Sequence, residues 1–125
     1  MTDVEAIHYN SYMPANEMKL MWRVWLDNDG KAFGEGPDRL LRRVETAGSL
    51  HKAAAEMKMS YRKAWLMLRA MEQRLGFPLL VRKVGGVSGG GSQLTPEARN
   101  LMKRYEAFRR EFEGALHEIY AKHFG

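Results

Sequence analysis

Serine, arginine and lysine side chains recur on one side of a predicted helix in the middle of the chain. Ser60 is placed to cap this helix at its start, and Arg62 and Lys63 follow in its first turn. Arginine and lysine bind phosphate oxygens and the acceptor atoms of guanine, and a capping serine offers a hydroxyl or a backbone amide to a phosphate. These residue types therefore favour binding of a polyanion.

The spacing of apolar residues decides which side chains of this helix face outward. It predicts a helix over residues 61–75, ended by Gly76, whose inward face consists of Tyr61, Ala64, Trp65, Leu68, Met71 and Leu75. The outward face then carries Ser60, Arg62, Lys63, Leu66, Met67 and Arg69. We expect Trp65 to anchor the core rather than to stack on a base.

Two shorter helices are predicted to precede this one. The first starts near Asp38 and ends at Gly48, and Ser49 can cap the second, over residues 50–57. A short turn fixes the angle between the second and third helices. This is the arrangement that presents one helix to the major groove of B-DNA while the preceding helix braces it across the backbone.

A two-stranded wing is predicted after the three helices. Residues 79–83 and 93–94 are the expected strands, joined by a glycine-rich loop over residues 85–92. Loop glycines let backbone amides approach phosphates closely, and Arg82 and Lys83 add positive charge. A nucleotide-binding loop is disfavoured, because no Gly-Lys-Ser/Thr follows and the loop lies between strands rather than before a helix. A structural hairpin that makes no contacts is the alternative.

The helices and the wing together predict one face for double-stranded DNA. The candidate contacts on this face are Ser49, Ser60, Tyr61, Arg62, Lys63, Leu66, Arg69, Arg82, Lys83, Gly89, Gly90 and Ser92. The alternative is a solvated basic face on an ordinary helical domain.

The flanking segments are predicted to form a tail, a hairpin and a long helix. Residues 1–18 are acidic and contain Pro14, which is typical of a flexible tail. Alternating apolar residues over residues 19–26, followed by an Asn-Asp-Gly turn, predict a hairpin ahead of the helices. Thr95, Pro96 and Glu97 start a last helix that runs to about Lys122.

The last helix carries a heptad-like apolar seam. Spacings of three and four residues place Leu101, Tyr105, Phe108, Phe112 and Ile119 on one side of it. We predict that this seam joins two copies into a homodimer. The alternative is that these residues pack within the chain, on the first helix.

The predicted helices and strands, in this order, indicate a mainly α domain with a small β component, built as a winged helix-turn-helix. The chain has 125 residues and a net charge of +5, and residues 19–94 hold 14 basic against 7 acidic side chains. We divide it into a tail at residues 1–18, the DNA-binding domain with its hairpin at residues 19–95, and the dimerisation helix at residues 96–125.

Other classes of protein receive little support from the sequence. The absence of cysteine excludes disulfides, and no apolar run approaches the roughly 18 residues of a membrane span. No signal peptide is visible, so we expect a cytoplasmic protein without membrane contact. The four histidines do not cluster at metal-ligand spacing, and no Ser-His-Asp arrangement or carboxylate pair indicates an enzyme.

Several of these motifs, taken together, resemble a known family. The runs Glu45-Thr46-Ala47-Gly48-Ser49-Leu50 and Ser60-Tyr61-Arg62-Lys63-Ala64-Trp65 combine with glycines at 85–86 and 89–91. This combination resembles the DNA-binding half of the molybdate-responsive regulators of the ModE type. It is similar, more distantly, to the LysR-type winged helix-turn-helix, and the resemblance covers about residues 19–122.

The resemblance implies a homodimer, joined by the first and last helices, that binds a two-fold related operator. It also implies control of genes for molybdate uptake or molybdoenzymes. No part of the sequence resembles the family's molybdate-binding modules, so we expect no cofactor and no direct molybdate binding in this chain. Two other hypotheses stay open: a winged-helix module for protein–protein interaction without DNA binding, and a small molybdate-binding protein.

Overall fold

The computed structural model describes residues 18–83 and 91–125. Two short antiparallel strand pairs and four helices make up the described part. In chain order the elements are β1 (Leu26–Asp27), β2 (Lys31–Phe33), α1 (Glu35–Ala47), α2 (Leu50–Glu56), α3 (Tyr61–Leu75), β3 (Leu80–Lys83), β4 (Gly91–Leu94) and α4 (Pro96–Phe124). The predicted mainly α winged helix-turn-helix fold is confirmed. Residues 1–17 of the predicted tail, and Gly89 and Gly90 of the predicted wing loop, lie outside the described residues.

Hydroxyl caps start three of the helices where the sequence indicates. The side-chain oxygens of Ser49, Ser60 and Thr95 accept hydrogen bonds from backbone amides three residues further on, at 3.0–3.1 Å. These bonds satisfy amides that have no partner within the helix. Gly48 and Gly76 end α1 and α3 with φ of 84° and 87°, the left-handed conformation that glycine adopts without steric cost.

One hydrophobic core joins the four helices, β2 and the base of the wing. It consists of Phe33, Leu40, Leu41, Val44, Leu50, Ala53, Ala54, Ala64, Leu68, Met71, Leu79, Leu94, Ala98, Met102 and Tyr105. The alanines of α2 and α3 allow these helices to pack closely. The stripe on α3 is narrower than predicted, because only Ala64, Leu68 and Met71 of this helix are buried.

Two side chains expected in that core lie outside it. Tyr61 and Trp65 are each 42% exposed, so the prediction of Trp65 as a core anchor was wrong. Both are next to the buried stripe of α3 rather than on it. Since α2 meets α3 through small alanines, the core has little room for a side chain as large as an indole at this edge.

The predicted strand over residues 19–26 is reduced to Leu26–Asp27, which pairs with β2. Residues ahead of it lie along α4 instead. The Tyr105 hydroxyl donates to the Val24 carbonyl at 3.2 Å, and the rings of Trp22 and Phe112 are 5.2 Å apart. Because α4 supplies these partners, Trp22 and Val24 are partly covered without forming a strand pair, whereas Met21 and Trp25 stay exposed.

The predicted seam on α4 divides into a buried and an exposed part. Tyr105 is buried in the core of its own chain, 5.2 Å from the Phe33 ring, which removes it from the predicted dimer interface. Leu101 packs partly against the same core. Phe108 and Ile119, further along, are 44% and 56% exposed. Only the later part of the seam is therefore available to a second copy.

A buried carboxylate lies in the first turn of α1. Arg42 Nε donates to Asp38 Oδ2 at 2.9 Å, and Arg42 Nη2 donates to Glu106 of α4 at 3.1 Å. Burial raises the pKa of Asp38 above its ordinary value, although the hydrogen bond from Arg42 opposes this effect. The hydrogen bond that Arg42 donates to Asp38 raises the pKa of Arg42. The three side chains together link α1 to α4.

None of the helices among the described residues combines the length and the apolar character needed to cross a membrane.

Candidate nucleic-acid interface

Half of the predicted contacts lie on α3 or at its N-cap. Arg62, Lys63 and Leu66 are exposed, and Ser60 stands at the start of the helix. The Ser60 oxygen accepts from the Lys63 amide at 3.0 Å, which leaves its hydroxyl hydrogen able to donate to another group. The structure thus brings these four side chains to one end of one helix.

Carboxylates are scarce on this side of the molecule. Within the described ranges 18–83 and 91–125, no acidic side chain lies within 4.0 Å of a charged nitrogen of Lys52, Arg62, Lys63, Arg82 or Lys83. Several arginines of α1 and α4 are paired instead, among them Arg42 with Asp38 and Arg109 with Glu35. Residues 57–96 contain one acidic residue, Glu72. The helix-turn-helix and the wing therefore present cations that are free to pair with an external anion.

Glu72 holds the start of the wing against α3. Its Oε2 accepts from the amide of Leu79 at 2.7 Å and from that of Leu80 at 3.5 Å. Its Oε1 lies 3.5 Å from Arg69 Nη1, and the carboxylate side chain is only 14% exposed. The single acidic residue of this region is thus used to set the position of β3 relative to α3.

A second contact ties the wing to the turn between α1 and α2. The Ser92 amide donates to the Gly48 carbonyl at 3.0 Å. A Cβ at Gly91 would lie 2.5 Å from that same carbonyl oxygen, which no side chain permits. Glycine is needed at this position because the two backbones approach so closely.

Between α2, α3 and the wing lies an open groove of about 480 Å³. It is lined by Ser49, Leu50, His51, Tyr61, Trp65, Arg69, Leu80, Val81, Arg82, Gly91 and Ser92. Five predicted contacts, namely Ser49, Tyr61, Arg69, Arg82 and Ser92, therefore meet in this groove. We name it the wing groove.

Two aromatic residues of the wing groove, His51 and Trp65, were not among the contacts predicted from the sequence. His51 stacks on Tyr61, with ring centroids 4.5 Å apart and an interplanar angle of 11°. Trp65 lies under Arg69, whose Cζ is 5.2 Å from the ring centroid. The spacing of Trp65 and Arg69, one helical turn apart, is a signal for such stacking, but the apolar character of tryptophan favoured a core position.

The remaining predicted contacts lie around this groove or outside the described part. Lys83 is exposed on β3, opposite Gly91 in the strand register. Gly89 and Gly90 are not among the described residues. Among residues 18–83 and 91–125, no group of three or more histidine, aspartate or glutamate side chains could hold a metal ion.

Comparison with known proteins agrees with this geometry. Residues 39–99 match the family model described as "Bacterial regulatory helix-turn-helix protein, lysR family". Those residues run from α1 through the wing into the first turn of α4. Residues 39–99 are a LysR-family helix-turn-helix domain.

Several curated proteins are similar to this chain over stretches longer than the domain itself. The chain is 36% identical over 102 residues to the "Molybdenum transport protein ModE" of Azotobacter vinelandii, covering 81% of the chain and 38% of that relative. It is 42% identical over 79 residues to the "Transcriptional regulator ModE" of Haemophilus influenzae, covering 63% of the chain and 31% of that relative. The "DNA-binding transcriptional dual regulator ModE" of Escherichia coli K12 is 33% identical over 67 residues, which cover 54% of the chain and 26% of that relative. The chain spans about a third of the length of these curated relatives.

Proposed function

We propose that this chain binds double-stranded DNA in a sequence-specific manner and regulates transcription. The observation that carries the proposal is the set of cations on α3 and β3 of a LysR-family domain that have no acidic partner among the described residues. Arg62 and Lys63 lie in the first turn of α3, where a recognition helix meets base edges in the major groove. Arg82 and Lys83 of the wing are positioned to meet phosphates of the adjoining backbone.

Genes for molybdate transport or for molybdoenzymes are the targets that we propose. The support is the names of the relatives, which connect ModE with molybdenum transport and with transcriptional regulation. Identity of 36–42% in the region of the helix-turn-helix supports related operators.

A homodimer is the form that we propose for DNA binding. Phe108 and Ile119 leave an exposed apolar edge on α4, and exposed apolar area favours association. Two copies related by a two-fold axis would place their α3 helices on half-sites one helical turn of DNA apart, about 34 Å.

Salt-dependent binding is the test of the proposed function. We expect affinity for a duplex from the promoter of a molybdate-transport operon, measured by fluorescence anisotropy, to fall steeply with salt because several phosphates are neutralised. Arg62→Ala should weaken binding by about 1–3 kcal/mol and reduce the preference over a random duplex. Arg110→Ala is the control, because Arg110 is equally cationic but pairs with Glu106 on α4. Absence of duplex binding by the wild type at low salt would overturn the proposal.

A second candidate is a protein-interaction module that uses the winged helix without DNA. The exposed Phe108 and Ile119 favour it, since they fit a protein partner as well as a second copy. Under this alternative, replacing Arg62 and Lys63 together leaves gene regulation in cells intact, whereas replacing Phe108 abolishes it. The two candidates are therefore separated by whether the variant without Arg62 and Lys63 keeps its activity, because the proposed DNA-binding dimer also depends on Phe108.

A further inference from the structure

The wing groove has an aromatic wall that phosphate binding alone does not require. Tyr61 and Trp65 lie one turn apart on the flank of α3, and each is 42% exposed. His51 stacks on Tyr61, and Leu80 and Val81 of β3 line the same groove. Exposed rings of this size are costly in water, so they mark a surface that a ligand with an apolar part would cover.

Arg69 and Arg82 differ in whether their positive charge is available to a ligand in this groove. The Arg69 guanidinium stacks over the Trp65 ring and lies 3.5 Å from Glu72, so its charge is already partly used. Arg82 is exposed, and no carboxylate in the described part of the chain lies within 4.0 Å of its charged nitrogens. Arg69 is therefore suited to hold the indole in place, and Arg82 to bind an anion.

A DNA strand matches this combination of apolar and cationic lining. Its deoxyribose carbons are apolar, and its phosphates carry one charge each. Trp65 follows Arg62 by three residues, so the two side chains are neighbours on the surface of α3. A strand whose bases or phosphates meet Arg62 would therefore continue along Trp65 into the wing groove.

We propose that one strand of bound DNA lies in the wing groove, with a deoxyribose against Trp65 and Tyr61 and the adjoining phosphate at Arg82. The proposal rests on the proposed function, since it names where the bound duplex lies. It makes Trp65 a contact that adds affinity for any duplex sequence. Arg69 is a positioning residue that acts through the orientation of the Trp65 ring.

Trp65→Ala, measured against Trp25→Ala, tests the strand contact. Trp25 is a close match, because it is 44% exposed and lies 5.5 Å from the Cζ of Arg23, but it does not line the groove. We expect Trp65→Ala to weaken binding of a random-sequence duplex about tenfold through loss of apolar contact. The salt slope should stay unchanged because no charge is removed, whereas Arg82→Ala should reduce it by about 1. Trp25→Ala should bind like the wild type.

Arg69→Lys separates positioning from charge. Lysine keeps the positive charge but lacks the planar group that stacks on the indole, so we expect affinity to fall toward that of Trp65→Ala. Full affinity of Arg69→Lys would contradict the positioning role. Circular dichroism and thermal melting of each variant establish that it is folded.

A fluorescence measurement tests the groove without removing the ring. The chain has three tryptophans, so Trp22→Phe combined with Trp25→Phe leaves Trp65 as the only one. Addition of the random-sequence duplex should protect Trp65 from acrylamide quenching. If the wild type binds duplex DNA but Trp65→Ala binds equally well and Trp65 stays accessible, this proposal is overturned and the proposed function stands. If the wild type binds no duplex at low salt, the proposed function itself fails.

Discussion

At the scale of single residues, Asp38 shows how burial and pairing oppose each other. Its side chain is 6% exposed, and one of its two oxygens, Oδ1, has no hydrogen-bond partner in the described part of the chain. The charged form loses hydration that Arg42 replaces only in part. The carboxyl therefore binds its proton more tightly in the folded chain than in the unfolded chain, where its pKa is near 3.8.

Asp38→Asn should reveal this effect as a pH dependence of stability. A raised folded-state pKa means that the stability contributed by Asp38 is fully present below about pH 4 and is lost as pH rises through the folded-state pKa. Asparagine does not titrate, and Arg42 keeps its hydrogen bond to Glu106. We therefore expect the free energy of unfolding of the variant, relative to wild type, to rise with pH across that window and to be constant above it. Denaturant unfolding at a series of pH values measures this, and a difference that falls with pH would contradict it.

Single residues also differ in how far their environment can be predicted from the sequence. The caps at Ser49, Ser60 and Thr95 depend on contacts within three residues, so their types alone predicted them. The exposure of Trp65 and the burial of Tyr105 depend instead on which other elements lie nearby. Periodicity places a side chain on a side of a helix but does not show where a neighbouring element ends.

At the scale of elements, the wing is fixed to the helix-turn-helix from two directions. Glu72 holds the start of β3 against α3, and Ser92 of β4 is bonded to the turn after α1. The order and approximate bounds of the helices and wing strands followed from periodicity and turn residues. These two ties did not, because they join residues that are far apart in the chain.

Gly91→Ala should loosen the wing. The new Cβ would meet the Gly48 carbonyl at 2.5 Å, so β4 must shift and the hydrogen bond from the Ser92 amide is lost. We expect a loss of about 1–3 kcal/mol in the free energy of unfolding and weaker duplex binding.

Gly114→Ala is the matched control for that prediction. Gly114 lies inside α4, and a Cβ there would meet no atom of residues 18–83 or 91–125 within 4 Å. Alanine is the better helix former, so we expect this variant to gain about 0.5–1 kcal/mol. Both values come from denaturant unfolding, and a Gly91→Ala protein as stable as wild type would show that the wing does not need this close approach.

At the scale of the whole molecule, α4 is the element that serves two purposes. Its first part supplies Ala98, Met102 and Tyr105 to the core. Its later part lies against residues 18–25 and leaves Phe108 and Ile119 exposed. With 29 residues, it is about 43 Å long, which is more than the core alone can cover.

Phe108→Glu combined with Ile119→Glu should prevent the proposed homodimer. A charge in an apolar contact between two copies is costly, whereas both side chains are exposed within one copy and should tolerate the change. Sedimentation equilibrium at micromolar concentration should show a dimer for wild type and a monomer for the variant. Ala121→Glu is the control, because Ala121 is exposed and lies on the opposite side of α4 from Ile119. A monomeric wild type would contradict the predicted dimer.

The hydrogen bonds of Thr95 affect the half-site spacing at which two copies would bind DNA. Its hydroxyl donates to the Pro78 carbonyl at 2.7 Å and its amide donates to the Leu79 carbonyl at 3.0 Å, so the residue that caps the start of α4 is fastened to the base of the wing. A rotation of one α4 against its counterpart would carry wing and α3 with it as a single body. The distance between the two half-sites on DNA would then depend on the crossing angle of the two α4 helices. A change of a few degrees in that angle would therefore change the operator spacing that the dimer prefers.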